Sequence, residues 1–113
     1  MSEFGGSSNG SRLIGDLPGR QGQRPMYYTY VLISEKNKRL YVGSTDNLKR
    51  RVEEHNKGVG GEYTSNNRPF KLLFYEAFIS KLDAQKQEKF YKTGYGREVL
   101  HGKIVSSLKE VFE

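Results

Sequence analysis

Apolar and polar positions alternate in two distinct rhythms from residue 27 onward. The run Tyr27 to Ser34, Tyr-Tyr-Thr-Tyr-Val-Leu-Ile-Ser, is dense in β-branched and aromatic side chains. It is followed by the polar stretch Glu35 to Arg39 and then by Leu40-Tyr41-Val42-Gly43-Ser44. Two such runs around a short polar segment predict a β-hairpin. Side chains in a strand alternate with period two, so an even-length loop puts Tyr30 and Tyr41 on one sheet face, whereas an odd loop or a bulge separates them. Thr45 or Asp46 supplies a cap for the next segment, Asn47 to Lys57, which consists mostly of good helix formers and stops at Gly58. On that helix Leu48, Arg51, Val52 and His55 fall at i, i+3, i+4 and i+7, one contiguous stripe. Leu48 and Val52 anchor it on the sheet, and Arg51 and His55, one turn apart, reach a common point at its margin.

The segment Gly58 to Pro69 reads as a loop from its glycines, its Asn66-Asn67 pair and its proline. Phe70 to Phe78 is a strongly apolar third strand. Ser80 with Asp83 three residues on forms a capping box with a shortened acid, opening a helix that runs to about Thr93 and stops at Gly94. Ala84, Glu88 and Tyr91 share one face of it. The tail from Arg97 is helical, broken near Gly102, with Val105, Leu108 and Val111-Phe112 as a packing edge. Residues 1–25, with Gly5-Gly6-Ser7-Ser8 and Asn9-Gly10-Ser11, show no periodicity and read as a flexible, artificial leader before a natural start at Met26. The rival reading, a basic arm, rests only on Arg12, Arg20 and Arg24 against Glu3 and Asp16. The fold is therefore expected within residues 26–113.

With 113 residues, 35% of them hydrophobic, the chain buries a modest core and forms one small domain. The absence of cysteine excludes disulfides, thiolate zinc sites and a cysteine nucleophile, and permits a reducing compartment. No apolar run approaches the roughly 20 residues that span a bilayer, and no secretory pattern opens the chain, so a soluble, cytoplasmic protein is expected. The net charge of +6 suits a polyanion, although a basic face is more often solvated surface. Its placement is more informative: Lys36, Lys38, Arg39, Lys49, Arg50 and Arg51 face a single acid, Asp46, between residues 36 and 51. No basic amphipathic helix with a broad apolar face accompanies them, which favours nucleic acid over membrane.

Hydrolysis of a phosphodiester needs an activated water, stabilisation of charge on the phosphoryl oxygens, and help for the leaving oxygen. Arg51 carries planar, permanently charged donors that match phosphate oxygens; its bland reading is a solvated helix arginine. Glu88 is a candidate ligand for Mg²⁺, which keeps several waters and needs few protein carboxylates; otherwise it is an i, i+4 partner of Lys92. Tyr30 and Tyr41, phenols with a reference pKa of roughly 10, act as bases only if neighbouring cations help, and are otherwise core aromatics. His55 either moves a proton or holds a phosphate, or interacts with carbonyls at the helix end. Gly43 permits close approach at a strand end. Lys49, Arg50, Arg68 and Lys71 suit contacts to backbone phosphates, which add affinity without discrimination.

Tyr28-Thr29-Tyr30 and Tyr41-Val42-Gly43, followed by Arg51 and the lone Glu88, resemble the GIY-YIG nuclease family. So do the stretch Tyr41 to His55, Arg68-Pro69, the Gln87-Glu88-Lys89 turn and Lys92-Thr93-Gly94-Tyr95-Gly96-Arg97, which look like the small single-domain bacterial members similar to the catalytic module of the UvrC excision-repair nuclease. The resemblance covers nearly all of residues 27 to 100. It implies an α+β fold, a three-stranded antiparallel sheet flanked by helices. It also implies one divalent metal, Mg²⁺ or Mn²⁺, on Glu88, Arg51 on the scissile phosphate, and Tyr30 as base assisted by Tyr41. The first tripeptide departs from the named form. Some members use an asparagine beyond the glutamate, and none follows Asn67 here.

The reading is thus a metal-dependent endonuclease acting on DNA, or on RNA, with structured or branched substrates included. It has no room for a separate targeting domain, so its own surface or a partner protein selects the target. The alternatives are a non-catalytic nucleic-acid-binding module of the same fold, and a protein-interaction domain using aromatics such as Tyr63 and Tyr95.

Overall fold

A computed structural model of the protein describes residues 25–112; the expected leader, Pro25 excepted, and the side chain of Tyr63 lie outside the described set. Three strands, β1 (Tyr27–Ser34), β2 (Leu40–Thr45) and β3 (Phe70–Phe78), form one antiparallel sheet in the order β2-β1-β3. Among the described residues four helices pack around it: α1 (Leu48–Lys57), α2 (Glu62–Asn67), α3 (Lys81–Tyr91) and α4 (Gly94–Phe112). This is the α+β architecture expected from the sequence.

The hairpin closes through an even loop. Ser34 N–H donates to the Arg39 carbonyl at 3.0 Å, and the Ser34 hydroxyl accepts from the backbone N–H groups of Lys36 and Asn37 inside the turn. The resulting register pairs Tyr30 with Gly43 and Leu32 with Tyr41. Tyr30 and Tyr41 therefore share one sheet face, as the even-loop condition required.

The sheet is buried on both faces, which explains why β1 is an unbroken apolar run. On one side Tyr30, Leu32 and Phe70 pack with Tyr41 and with Leu48 and Val52 of α1. On the other, Val31 and Val42 pack with Tyr91, Leu100 and Ile104, joined by Phe74 and Leu108. A bulge in the β1–β3 pairing between Val31 and Leu32 lets β3 serve both cores. Without it, Phe70, Leu72 and Phe74 would all point the same way. Truncating a fully buried side chain such as Leu32 should cost roughly 2–5 kcal/mol.

Several local expectations are corrected. The cap of α1 is Asn47, whose side chain accepts from Arg50 N–H; Thr45 instead accepts from Asn47 N–H at 3.1 Å, one step too early to be the cap. The segment read as a loop contains α2, started by Ser65 N–H and the Thr64 hydroxyl donating to the Gly61 carbonyl. Helix α3 ends at Tyr91 rather than Thr93, and Gly94 opens α4 instead of merely ending α3. Thr93 is the reason: its hydroxyl accepts from Gly96 N–H at 3.0 Å and caps the new helix. Helix α4 also runs unbroken through Gly102. Burial of Leu100, Ile104 and Leu108 on the sheet outweighs a helix-interior glycine's cost of about 1 kcal/mol. Val105, expected at the packing edge, is exposed.

Candidate active site

Tyr30, Tyr41, Arg51 and His55 meet on the α1 side of the sheet. The Tyr30 hydroxyl and His55 Nε2 lie 2.9 Å apart, and both side chains are fully buried. The Tyr41 ring meets the His55 ring edge-on, with centroids 4.9 Å apart, and lies 6.4 Å from that of Tyr30. His55 is thus not the helix-end histidine of the bland reading; the stripe that buries Leu48 and Val52 buries it too.

Two glycines make the arrangement possible. A Cβ at Gly43 would stand 2.5 Å from the Tyr30 hydroxyl, so the phenol occupies space that any other residue opposite it would claim. Gly60, in the loop after α1, lies so close to His55 Nδ1 that a Cβ there would collide with it. That nitrogen is buried and has no hydrogen-bond partner among the described residues.

Burial pushes the Tyr30 hydroxyl up to about 12; the nearby Arg51 guanidinium works against this, and Tyr41 and the Glu88 carboxylate add to it. Burial, helped by the charge on Arg51, pulls His55 down to about 4, with Glu54 opposing. At neutral pH the pair is therefore a neutral phenol beside a neutral imidazole. The phenol is the donor, which assigns the acceptor role to Nε2 and the ring proton to Nδ1. Arg51 is part-buried and braced, donating to Glu54 Oε1 at 2.9 Å and to the Gly60 carbonyl at 3.3 Å. Burial disfavours its charge, but the hydrogen bonds and charges of Glu54 and Tyr30 together outweigh that and raise its pKa.

Glu88 approaches from the other sheet face. Ser44, the neighbour of Gly43 on β2, donates its hydroxyl to Glu88 Oε1 at 2.8 Å, and Lys92 Nζ lies 2.8 Å from Oε2. The i, i+4 pair of the bland reading thus exists, yet the same carboxylate is near enough to Tyr30 to raise its pKa. Beside Ser44 and Arg51 a cavity of about 360 Å³ opens, lined also by Tyr27, Thr45, Arg50, Lys81, Ala84, Gln85 and Asp46, whose carboxylate Arg50 meets at 3.3 Å. Its cations and a helix N-terminus suit an anion.

No group of three or more His, Asp or Glu side chains is arranged to hold a metal among the described residues. The donors present are hard oxygens, the Glu88 carboxylate and the Ser44 hydroxyl. They fit an ion such as Mg²⁺ that keeps its waters and takes substrate oxygens for the rest of its shell.

Of the cations expected to contact phosphates, only Arg50 lines this cavity, and it is paired with Asp46 at 3.3 Å and Glu54 at 3.4 Å. The Arg68 guanidinium packs over Gly58, while Lys49 and Lys71 are exposed on α1 and β3. Asn66 and Asn67 brace the hairpin turn through Lys36, Asn37 and Ser34 rather than approaching Glu88. Ser44 and Gly60 were not singled out from the sequence. Ser44 follows the second tripeptide and so carried a faint positional signal, whereas nothing linked Gly60 to His55.

A family model described as the GIY-YIG catalytic domain matches residues 26–100. A UPF0213 protein of Clostridium perfringens is 42% identical over 67 residues, which cover 59% of this chain and 71% of that protein. A second UPF0213 protein, from Pediococcus acidilactici, is 43% identical over 76 residues, 66% of this chain and 76% of that one. The solution NMR structure of a UPF0213 protein from Bacillus halodurans is 32% identical, with a TM-score of 0.44, covering 68% of this chain and 83% of that one.

Proposed function

The chain belongs to the GIY-YIG family, and from that premise and the setting of Tyr30 we propose that it is an endonuclease hydrolysing DNA phosphodiester bonds, with Mg²⁺ or Mn²⁺ as cofactor. The observation that carries the reading is the Tyr30 hydroxyl, hydrogen-bonded to a neutral, buried His55, pressed over Gly43 and flanked by the Arg51 guanidinium. A core tyrosine with a satisfied hydroxyl needs no histidine shifted to about 4 beside it.

In this mechanism Tyr30 relays a proton without becoming a free phenolate. As water attacks phosphorus, its proton passes to the Tyr30 oxygen while the phenolic proton passes to His55 Nε2. As the bond from phosphorus to the leaving oxygen breaks, the imidazolium, which burial disfavours, gives its proton up through the Tyr30 hydroxyl to that oxygen or to solvent. The relay accommodates a phenol at about 12, whereas a base that ionised beforehand would not be populated near neutral pH. Tyr41 orients the His55 ring edge-on. Arg51 turns from Glu54 and the Gly60 carbonyl to the phosphate oxygens, with Arg50 and Lys81 beside it at the cavity. A divalent ion held by Glu88, with Ser44 alongside, would supply Lewis-acid stabilisation of charge on the phosphate and leaving oxygens.

The non-catalytic reading draws on one observation, that both Glu88 oxygens are already occupied by Ser44 and Lys92. Exposed as it is on the Lys92 side, that pair is worth at most about 1 kcal/mol and yields readily to a divalent ion. The test is direct. Purified protein should cleave single-stranded, duplex or branched DNA with Mg²⁺ or Mn²⁺ but not with chelator, and Arg51→Ala and Glu88→Ala should abolish cleavage with unchanged circular dichroism. Intact DNA in every case, from a protein that binds it, returns the binding-module reading.

A further inference from the structure

We propose that the open edge of β2 carries the DNA backbone away from the site, in a cationic groove between that edge and α4; the inference rests on the nuclease reading and assigns the surface that serves it. The groove encloses about 670 Å³ and is floored by Leu40, Tyr41, Val42 and Leu100. Lys38, Arg39, Lys92, Arg97 and His101 line it, with no carboxylate among the lining residues. Of these five, only Lys92 makes an ion pair among the described residues. Elsewhere the surface cations are often matched: Arg50 with Asp46 and Glu54, Lys103 with Glu76.

Unmatched like charges that converge on one groove repel each other, and a polyanion relieves that repulsion. The groove also joins the site at two points. Tyr41 lies in its floor and presents its ring edge-on to His55, and Lys92 on its wall holds Glu88. A strand whose phosphate lies at Arg51 would cross β2 to reach these cations. Among the described residues the outer edge of β2 has no strand partner, so a second copy of the chain is the rival occupant. Edge-to-edge pairing would bring two sets of these cations together, which favours the nucleic acid.

The test is DNA binding by the full chain across a salt series, using a labelled duplex and its single strand without metal. Arg39→Glu with Arg97→Glu should weaken binding by about tenfold or more and lower the slope of log K against log salt by about two, since each neutralised phosphate contributes roughly 0.7–0.9. The neutral pair Arg39→Gln and Arg97→Gln, which strains folding less, should lower the slope similarly. With metal, KM for DNA should rise while turnover of a nucleoside nitrophenyl phosphate ester, too short to reach the groove, stays unchanged. Wild-type binding that neither double variant alters overturns this inference and spares the nuclease reading. So does a wild-type dimer that dissociates in the Glu variant while its DNA affinity holds. Absence of salt-sensitive binding by the wild type overturns both.

Discussion

His55 Nε2 and the Tyr30 hydroxyl meet at 2.9 Å across the boundary between α1 and β1, with His55 fully buried and Tyr30 1% exposed. Tyr30→Phe keeps the ring and deletes the hydroxyl, with its hydrogen bond to His55 and its interaction with Arg51. It should lower kcat by at least about 100-fold, the usual scale for a lost proton-transfer group. Leaving Nε2 buried and unpaired should also cost about 1–3 kcal/mol in urea denaturation. A Phe variant that cleaves DNA at the wild-type rate rules out the relay.

Stability should depend on pH through His55. In the unfolded chain this group titrates near 6.5, and in the folded protein near 4. Between those values the unfolded chain binds more protons, so stability rises with pH: it is complete above about 6.5 and lost as pH falls through about 4. The loss should total about 3 kcal/mol, since each tenfold drop in the proton affinity of a group on folding corresponds to about 1.4 kcal/mol. Urea titrations at neutral pH and near pH 4 should show it, and His55→Gln should flatten that part of the profile. A wild-type profile already flat between those limits would mean His55 is not held neutral.

Gly60→Ala places a methyl group against His55 Nδ1, and Gly43→Ala places one against the Tyr30 hydroxyl. Each forces a ring to move, at a cost of about 1–3 kcal/mol. Both variants should fold with lowered midpoints, and both should lose most activity because displacement of either ring lengthens the Tyr30–His55 bond. Full activity in Gly43→Ala would show that the phenol's position is not critical.

Lys92→Met removes the cation that competes with a metal ion for Glu88. An exposed pair of this kind contributes up to about 1 kcal/mol, so Mn²⁺ should bind up to about fivefold more tightly, as measured by electron paramagnetic resonance of the free ion. Glu88→Gln should abolish that binding. Equal Mn²⁺ affinity in wild type and Glu88→Gln would remove Glu88 as a ligand.

The strands were legible because their residues are intrinsically β-forming and their turn is short and polar; β3 ends at the expected residues, Phe70 and Phe78. The α1 stripe was legible as a periodicity, but not that its histidine would be more deeply buried than its leucine and valine neighbours, since that depends on Tyr30 arriving from 25 residues away. Helix α2 left no trace in the periodicity, its first turn being held by the Gly61 carbonyl rather than by a side-chain cap. Gly94 misled because Thr93 immediately re-caps the chain. The β2 groove is not legible for a similar reason: Lys38 and Arg39 stand at the end of the hairpin turn, while Arg97 and His101 belong to α4, and only the packing of that helix brings them together.

The turn from Glu35 to Lys38 touches none of the chemistry, yet its length decides which way the chemistry faces. Because Tyr30 and Tyr41 look toward α1 while Ser44 looks toward Glu88, a slip of one residue in the pairing of β1 with β2 would exchange those assignments along β2. Tyr41 would turn from His55 and Ser44 from Glu88, with every side chain still present in the sequence. Counting residues in a surface turn is therefore a way of telling a chain in which Tyr41 meets His55 and Ser44 meets Glu88 from one in which neither does.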